Sequence, residues 1–422
     1  VSTRLKIART ILIAVTVAVV LIPPTIYFLI KTSEKRAWNE MRRWCDQTAA
    51  EVRARPSERP VLRGVPVPGN AWDDYGEGLG SLPKQWDLYP AAVYLSSSSD
   101  SGVDKVAELL RLHASAIDAL GRGASRASAR RNVSWEHPGD SFAGRSNLYA
   151  KLAACRARFR EKEGRSREAM NQLLDVAQYG EDRALNGNVS DALVGVDVLS
   201  IAQDELHRML AAGSLSRDNC VELAAALEQV DRGFPREAQA YAIDPMSTGF
   251  YFLQAETMEA LLERMEIHDV PPPGWRYFFS DRVVLADAFR WERHWAQRAS
   301  AATDASWAQF RKVQDEIAED LRLSRNPVIP KTSVFAYMLQ NSRRNNLFRE
   351  HRAQLRLLRT AVAWRATGGI PVLDDPYGDK LRSSLTGNHL KVWSVGGDGV
   401  DDGGDGEWVD RKGKDIVLEL ER

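Results

Sequence analysis

The chain has 422 residues and equal numbers of basic and acidic side chains, 57 of each. That length holds one large domain or two ordinary ones, and the balanced charge gives no global field toward nucleic acid. Three scattered cysteines, Cys45, Cys155 and Cys220, with no CxxC spacing, exclude a disulfide framework and a cysteine zinc site and read as buried thiols.

In chain order, Thr10 to Ile30 contains no charged residue. As a helix rising about 1.5 Å per residue it would span roughly 30 Å, one bilayer core. Arg4, Lys6 and Arg9 precede it. The expectation is a signal anchor: a single-pass transmembrane helix in a bacterial inner membrane, with the bulk of the chain in the periplasm. Pro23-Pro24 should kink it. The helix should then continue, because Trp38, Met41, Cys45, Ala49 and Val52 recur at three and four residues. Residues 1–53 therefore read as anchor and juxtamembrane helix.

Residues 54–102 read as a connector, with six prolines between Pro56 and Asp100, many glycines and the run Ser96 to Ser99. Asn70 is placed to cap one short helix there. Residues 103–368 read as an α-helical body. Leu148, Leu152, Cys155 and Phe159 form one stripe, Gly164 ends it, and Ala169, Met170, Leu173, Leu174 and Ala177 form the next. That pair is a helical hairpin with a tetratricopeptide-like (TPR-like) turn at Arg165-Ser166-Arg167, but no period is held, so the body is repeat-like only. Further helices are expected from about Ser247 to Ile267, Asp281 to Leu323 and Thr332 to Ala366. Residues 369–422 read as a β tail, with strands at Leu381 to Leu385, His389 to Trp393 and Ile416 to Leu420. The fold class is thus mainly α, with a transmembrane helix at one end and a small β-hairpin or sheet carrying a Gly/Asp-rich loop at the other.

That loop holds the clearest chemical pattern. Asp398, Asp401, Asp402, Asp405, Glu407, Asp410 and Asp415 crowd a backbone rich in glycine. Carboxylates so spaced repel one another unless a cation sits among them, and calcium takes six to eight oxygens at about 2.3–2.6 Å. An EF-hand does not fit, since one starting at Asp401 would put Gly403 third and Lys412 twelfth. Gly396 to Asp401 matches only a single β-roll copy.

The tail also resembles the C-terminal region of the major pseudopilins of type II secretion systems. The residues that carry the likeness are Asp375-Pro376-Tyr377-Gly378, Trp393-Ser394-Val395-Gly396-Gly397-Asp398-Gly399, Gly403-Gly404 and Asp415-Ile416. The resemblance implies that the loop binds calcium and fastens the C-terminus to the sheet. It makes Asp398 the first ligand, with the Val395 carbonyl and Asp415 next. The family's later ligand is left open among Asp405, Glu407 and Asp410, because the spacer before Asp415 is longer here. The likeness covers about fifty residues, and the family's N-terminal prepilin motif is absent. The layout as a whole is similar to membrane-anchored bacterial proteins that join a helical body to such a tail.

Arg349, Arg352, Arg356 and Arg359 recur on one face of the last helix. They read either as a basic face for an anionic surface or as an internally paired face, the acidic loop being the nearest partner in sequence. If they neutralise the loop, calcium is unnecessary. Asp73, Asp74, Glu292 and His294 are the best residues for a hydrolase site, but each has a plainer reading as a cap or surface pair. No GxSxG, Walker-A or dinucleotide fingerprint occurs. The functional expectation is a membrane-anchored interaction scaffold with a calcium-stabilised tail. An envelope hydrolase is the alternative, and a secretion- or pilus-assembly component the weaker one.

Overall fold

Local periodicity and glycine punctuation divide this chain into helices, and buried ion pairs tie them together. The computed structural model describes residues 2–82, 89–96, 102–131, 142–234, 237–255, 281–303, 305–323, 347–409 and 414–421. Side chains of residues 2–24, 26, 89, 142–143 and 321–323 fall outside that description. The described residues form thirteen helices and six short strands, a mainly helical fold with two small sheets.

Helix α1 runs from Ser2 to Ala54, continuous through Pro23-Pro24. Among the described residues, no helix is long and apolar enough to cross a membrane. This corrects the single-pass anchor. The inner-membrane and periplasmic placement rested on that span and falls with it. A span needs about twenty apolar residues facing lipid on every side, whereas the described side chains of α1 are mostly those of an amphipathic helix. From Lys31 onward it carries charges on one side, while Trp38, Met41, Cys45, Ala49 and Val52 on the other are at most 8 % exposed. That stripe packs against α10 (Glu237–Ala255) and α11 (Asp281–Ala302). Trp44 meets Phe289 edge-on at 5.4 Å, and Arg293 lies 5.3 Å over the Trp44 ring.

The first part of the proline-rich stretch after α1 is tied to α7 and to β2. Strand β1 (Val67–Asn70) pairs in parallel with β2 (Arg126–Ser128). Helices α2 (Ala71–Ser81), α3 (Tyr89–Ser96), α4 (Val103–Leu112) and α5 (Ala114–Ala124) lie between these strands in sequence. Arg59 and Arg63 reach α7 (Ser166–Ala184), where Arg59 donates to Asp182 at 2.7 Å. Arg63 forms a bidentate pair with Asp175, both bonds 2.6 Å. The fully buried Tyr75 of α2 also donates to Asp182, at 2.7 Å. The carboxylates of Asp175 and Asp182 are buried because each finds an arginine and, for Asp182, a further donor.

The body continues as α6 (Phe142–Lys162), α7, α8 (Val189–Ala211) and α9 (Arg217–Gly233). Gly164, at φ +76°, turns α6 into α7. Where α7 crosses α8, a Cβ on Gly195 would lie 2.6 Å from the Gly180 carbonyl, so only glycines allow that approach. Asn188 caps α8 by accepting from the Asp191 amide, and Ser216 caps α9 through the Asn219 amide. Helix α12 (Trp307–Leu323) follows α11, and α13 (Leu347–Thr367) packs across α8 and α9. Expected helical residues 256–267 and 332–346 lie outside the described residues, as does the Pro271–Gly274 break.

The tail sheet has strand order β3-β4-β6-β5, from β3 (Arg382–Thr386), β4 (His389–Ser394), β5 (Gly406–Glu407) and β6 (Asp415–Glu421). A two-residue turn at Gly387-Asn388 joins β3 to β4. Leu390, Val392, Ile416, Leu418 and Leu420 point inward, each at most 4 % exposed, and join the core of the helical body. Helix α13 is their main neighbour.

Candidate functional site

The Gly/Asp-rich loop is built outward from the end of β4. Asp375, 4 % exposed, accepts from the Tyr377 amide at 3.0 Å, the Ser394 hydroxyl at 2.6 Å and the Val395 amide at 2.9 Å. That one carboxylate pins the Asp-Pro turn to the strand end. The turn's Tyr377 stands edge-on to Trp307, whose indole donates to the Gly397 carbonyl at 2.9 Å. Farther along, the Trp408 indole donates to Asp204 of α8 at 2.8 Å, and its ring stacks on His207. Gln354 of α13 donates to the Trp408 carbonyl. The loop is thus held to three helices.

Within it, the sequence-predicted carboxylates go to separate partners. Asp398 is exposed and accepts from the Val400 amide at 2.9 Å. Asp401 accepts from the Trp393 indole and the Gly403 amide, both at 3.0 Å, with Arg382 at 3.4 Å; the Trp393 bond leads in holding its pKa below the usual range. Asp402 is exposed. Asp405 pairs with Lys414 at 3.0 Å, which lowers its pKa. Asp410 lies outside the described residues. Val395 is buried beside Asp375.

Asp415 differs from all of them. It is fully buried at the start of β6, and its Oδ2 accepts from the Gly404 amide at 2.7 Å. Its Oδ1 is buried without a hydrogen-bond partner. Burial raises its pKa; the Gly404 and Asp402 amides oppose that rise, and the Asp401 and Asp402 charges add to it. A buried carboxylate oxygen lacking a donor is where a cation gains most. Among the described residues, however, no three His, Cys, Asp or Glu side chains lie close enough together to hold a metal ion. The oxygen set around Asp415 would have to come from backbone carbonyls and water.

The α13 arginines do not reach this loop. Arg352, Arg356 and Arg359 converge on Asp231 of α9, 7 % exposed, with Arg352 at 3.4 Å and Arg356 at 3.1 Å. Arg349 donates to the Pro376 and Thr303 carbonyls and covers Trp307 and Phe310. Of the two readings of this basic face, the internally paired one fits, with Asp231 rather than the acidic loop as the partner. Asp231, about 120 residues away in sequence, carried no signal that it would be the partner.

The hydrolase residues do not share a cleft. Asp74 is buried between Arg122 and Arg126, at 3.1 and 2.6 Å, which outweigh burial and hold its pKa low. Asp73 lines a cleft with Arg130, Arg131 and Asp191. On α11, Glu292 is buried and His294 is exposed, and neither lines that cleft. No family model, curated protein or solved structure matches the chain.

Proposed function

We propose that this chain is a helical interaction scaffold whose C-terminal sheet is fastened by a calcium ion at Asp415. The observation that carries the scaffold reading is the helical stack in which α6, α7 and α8 pack on one another and α9 packs on α13 and α7, leaving the outer face of α9 exposed. Val221 on that face is 51 % exposed. Stacked helical pairs of this kind present extended binding faces. Affinity capture with the full chain should yield a partner that is lost when Val221 is replaced by Arg. Equal recovery by wild type and Val221→Arg, or recovery of nothing, would overturn the scaffold reading.

The calcium reading draws support from the partnerless Asp415 oxygen and from the tail's likeness to pseudopilins. It narrows the expected ligands to Asp415, with Asp402 and the Val395 carbonyl as neighbours in the same loop. Calcium, added to the metal-free chain, should raise its melting temperature. Asp415→Asn should abolish the rise. An unchanged rise in that variant would place the ion elsewhere, and no rise in wild type would remove the ion altogether.

A further inference from the structure

The helical body contains a second cluster of unsatisfied charge, opposite in sign to Asp415 and far from it in sequence. A cleft of about 840 Å³ opens between the end of α1, the start of α10 and the exposed side of α13. Its charged lining is Arg55, Arg232, Arg349, Arg352, Arg356 and Glu237. Two donors there are buried without a hydrogen-bond partner, Arg55 Nη1 and Arg349 Nε. The neighbouring carboxylates cannot balance these guanidinium groups. Asp231 is shared among Arg352, Arg356 and Arg359, and Glu228 pairs with Arg232. Glu237 accepts from its own helix, from Tyr241 at 2.9 Å. Asp374, which also feels the charges of Arg352 and Arg356, pairs with Lys380, so among the described residues these four carboxylates are set against six arginines and a lysine.

The wall of the cleft is also held in an unusual conformation. Asn186, between α7 and α8, is the one non-glycine residue with positive φ among those described, at +56°. Its side chain donates to the Pro56 carbonyl and accepts from Gln239, so it joins the α1 end to α10 across the cleft. Strain of this kind persists where surrounding contacts over-determine it, and it gathers at ligand sites. The volume fits a small-molecule pocket, and guanidinium forks match the paired oxygens of phosphate and carboxylate.

We infer that this cleft binds a small organic polyanion, with Arg55 and Arg349 donating to its oxyanion groups and Arg352 supplying charge at the mouth. In its ionised form Glu237 opposes the ligand and limits its affinity, so the opposition applies above its raised pKa of about 7. The site is independent of the scaffold face and of Asp415.

The test is titration calorimetry of the full chain with pyrophosphate in one arm and citrate in the other, at low salt. One arm should saturate at one site per chain, and which one distinguishes a phosphate from a carboxylate ligand. Arg55→Gln and Arg352→Gln should each weaken that binding about tenfold or more, the loss of one charge-assisted pair. Arg382→Gln, in the tail, should leave it unchanged. Glu237→Gln should tighten it severalfold, a gain that damaged folding would not produce. Failure of both anions to bind, equal weakening by Arg382→Gln and Arg55→Gln, or no gain in Glu237→Gln would each overturn the inference.

Discussion

The helical body and the β tail manage buried negative charge in opposite ways. In the body, the buried carboxylates Asp175, Asp182, Asp191, Glu205 and Asp231 each face one or more arginines of the same chain. In the tail, Asp398, Asp401 and Asp405 stay at the surface on backbone amides, an indole and Lys or Arg ends, whereas Asp415 is buried and accepts from the Gly404 amide through its Oδ2. These five carboxylates are therefore neutralised within the body, whereas in the tail Asp415 Oδ1 has no hydrogen-bond partner. A chain this balanced in total charge can still be locally unbalanced.

The largest expected effect comes from breaking the body's rule. Asp182→Ala strands the buried Arg59 and the Tyr75 hydroxyl, and urea denaturation should register a loss of about 3–5 kcal/mol. Asp182→Ala with Arg59→Met should recover much of it. If the double variant is no more stable than the single one, the pair is not what holds residues 55–63 against α7.

Next in size is the tail's ion. At a calcium concentration a hundred times its dissociation constant, binding adds about 2.7 kcal/mol to the folded state. Thermal melting reads this directly, and Asp415→Asn should melt at one temperature with or without calcium.

A smaller effect follows from acid groups that the body buries without an arginine ion pair. Burial pushes Asp244 up to about 7, against a bond from the Val189 amide and with Asp191 adding to the rise. Burial also pushes Glu237 up to about 7, against the pull of Arg349 and its Tyr241 bond. A carboxyl raised in the folded state holds its proton there while the unfolded chain, with a pKa near about 4, has lost it. Stability therefore falls as pH rises from about 4 to about 7, and the penalty is complete above that. Melting scans at stepped pH should show wild type gaining on acidification toward pH 5, with the gain reduced in Asp244→Asn. An equal gain in both would place the titrating group elsewhere. The smallest effect belongs to the exposed Lys414–Asp405 pair, half or more exposed on both sides. Lys414→Ala should leave the melting temperature where it was, since solvent screens such pairs.

Part of this architecture is legible in the order of residues alone. The stripe Trp38, Met41, Cys45, Ala49 and Val52 and the α6–α7 hairpin at Gly164 follow from spacing within one helix, which is a local property. The two strands around Gly387-Asn388 follow from alternation and one turn. The membrane anchor fails because an uncharged run measures only its own composition, while the described part of α1 packs its apolar stripe on α10 and α11. The acidic loop is legible as a cluster in sequence, but its side chains disperse to Val400, Arg382, Lys414 and Gly404, because turns at the positive-φ residues Gly399, Gly403 and Gly404 re-aim the backbone between them.

The sequence by itself determined the longer helices and the strands β3, β4 and β6, since propensity and periodicity act over a few residues, but it placed neither α3 nor the short strands β1, β2 and β5. Only the tertiary structure decided which charges meet. Arg63 with Asp175, Arg356 with Asp231 and the parallel pairing of β5 with β6 join residues whose separation no local pattern records. Chain folding also decided which groups remain without a partner, Asp415 Oδ1 in the tail and Arg55 Nη1 and Arg349 Nε in the cleft. Those three atoms carry the functional argument because the cost of leaving a polar atom dry and unpaired depends on its surroundings in space.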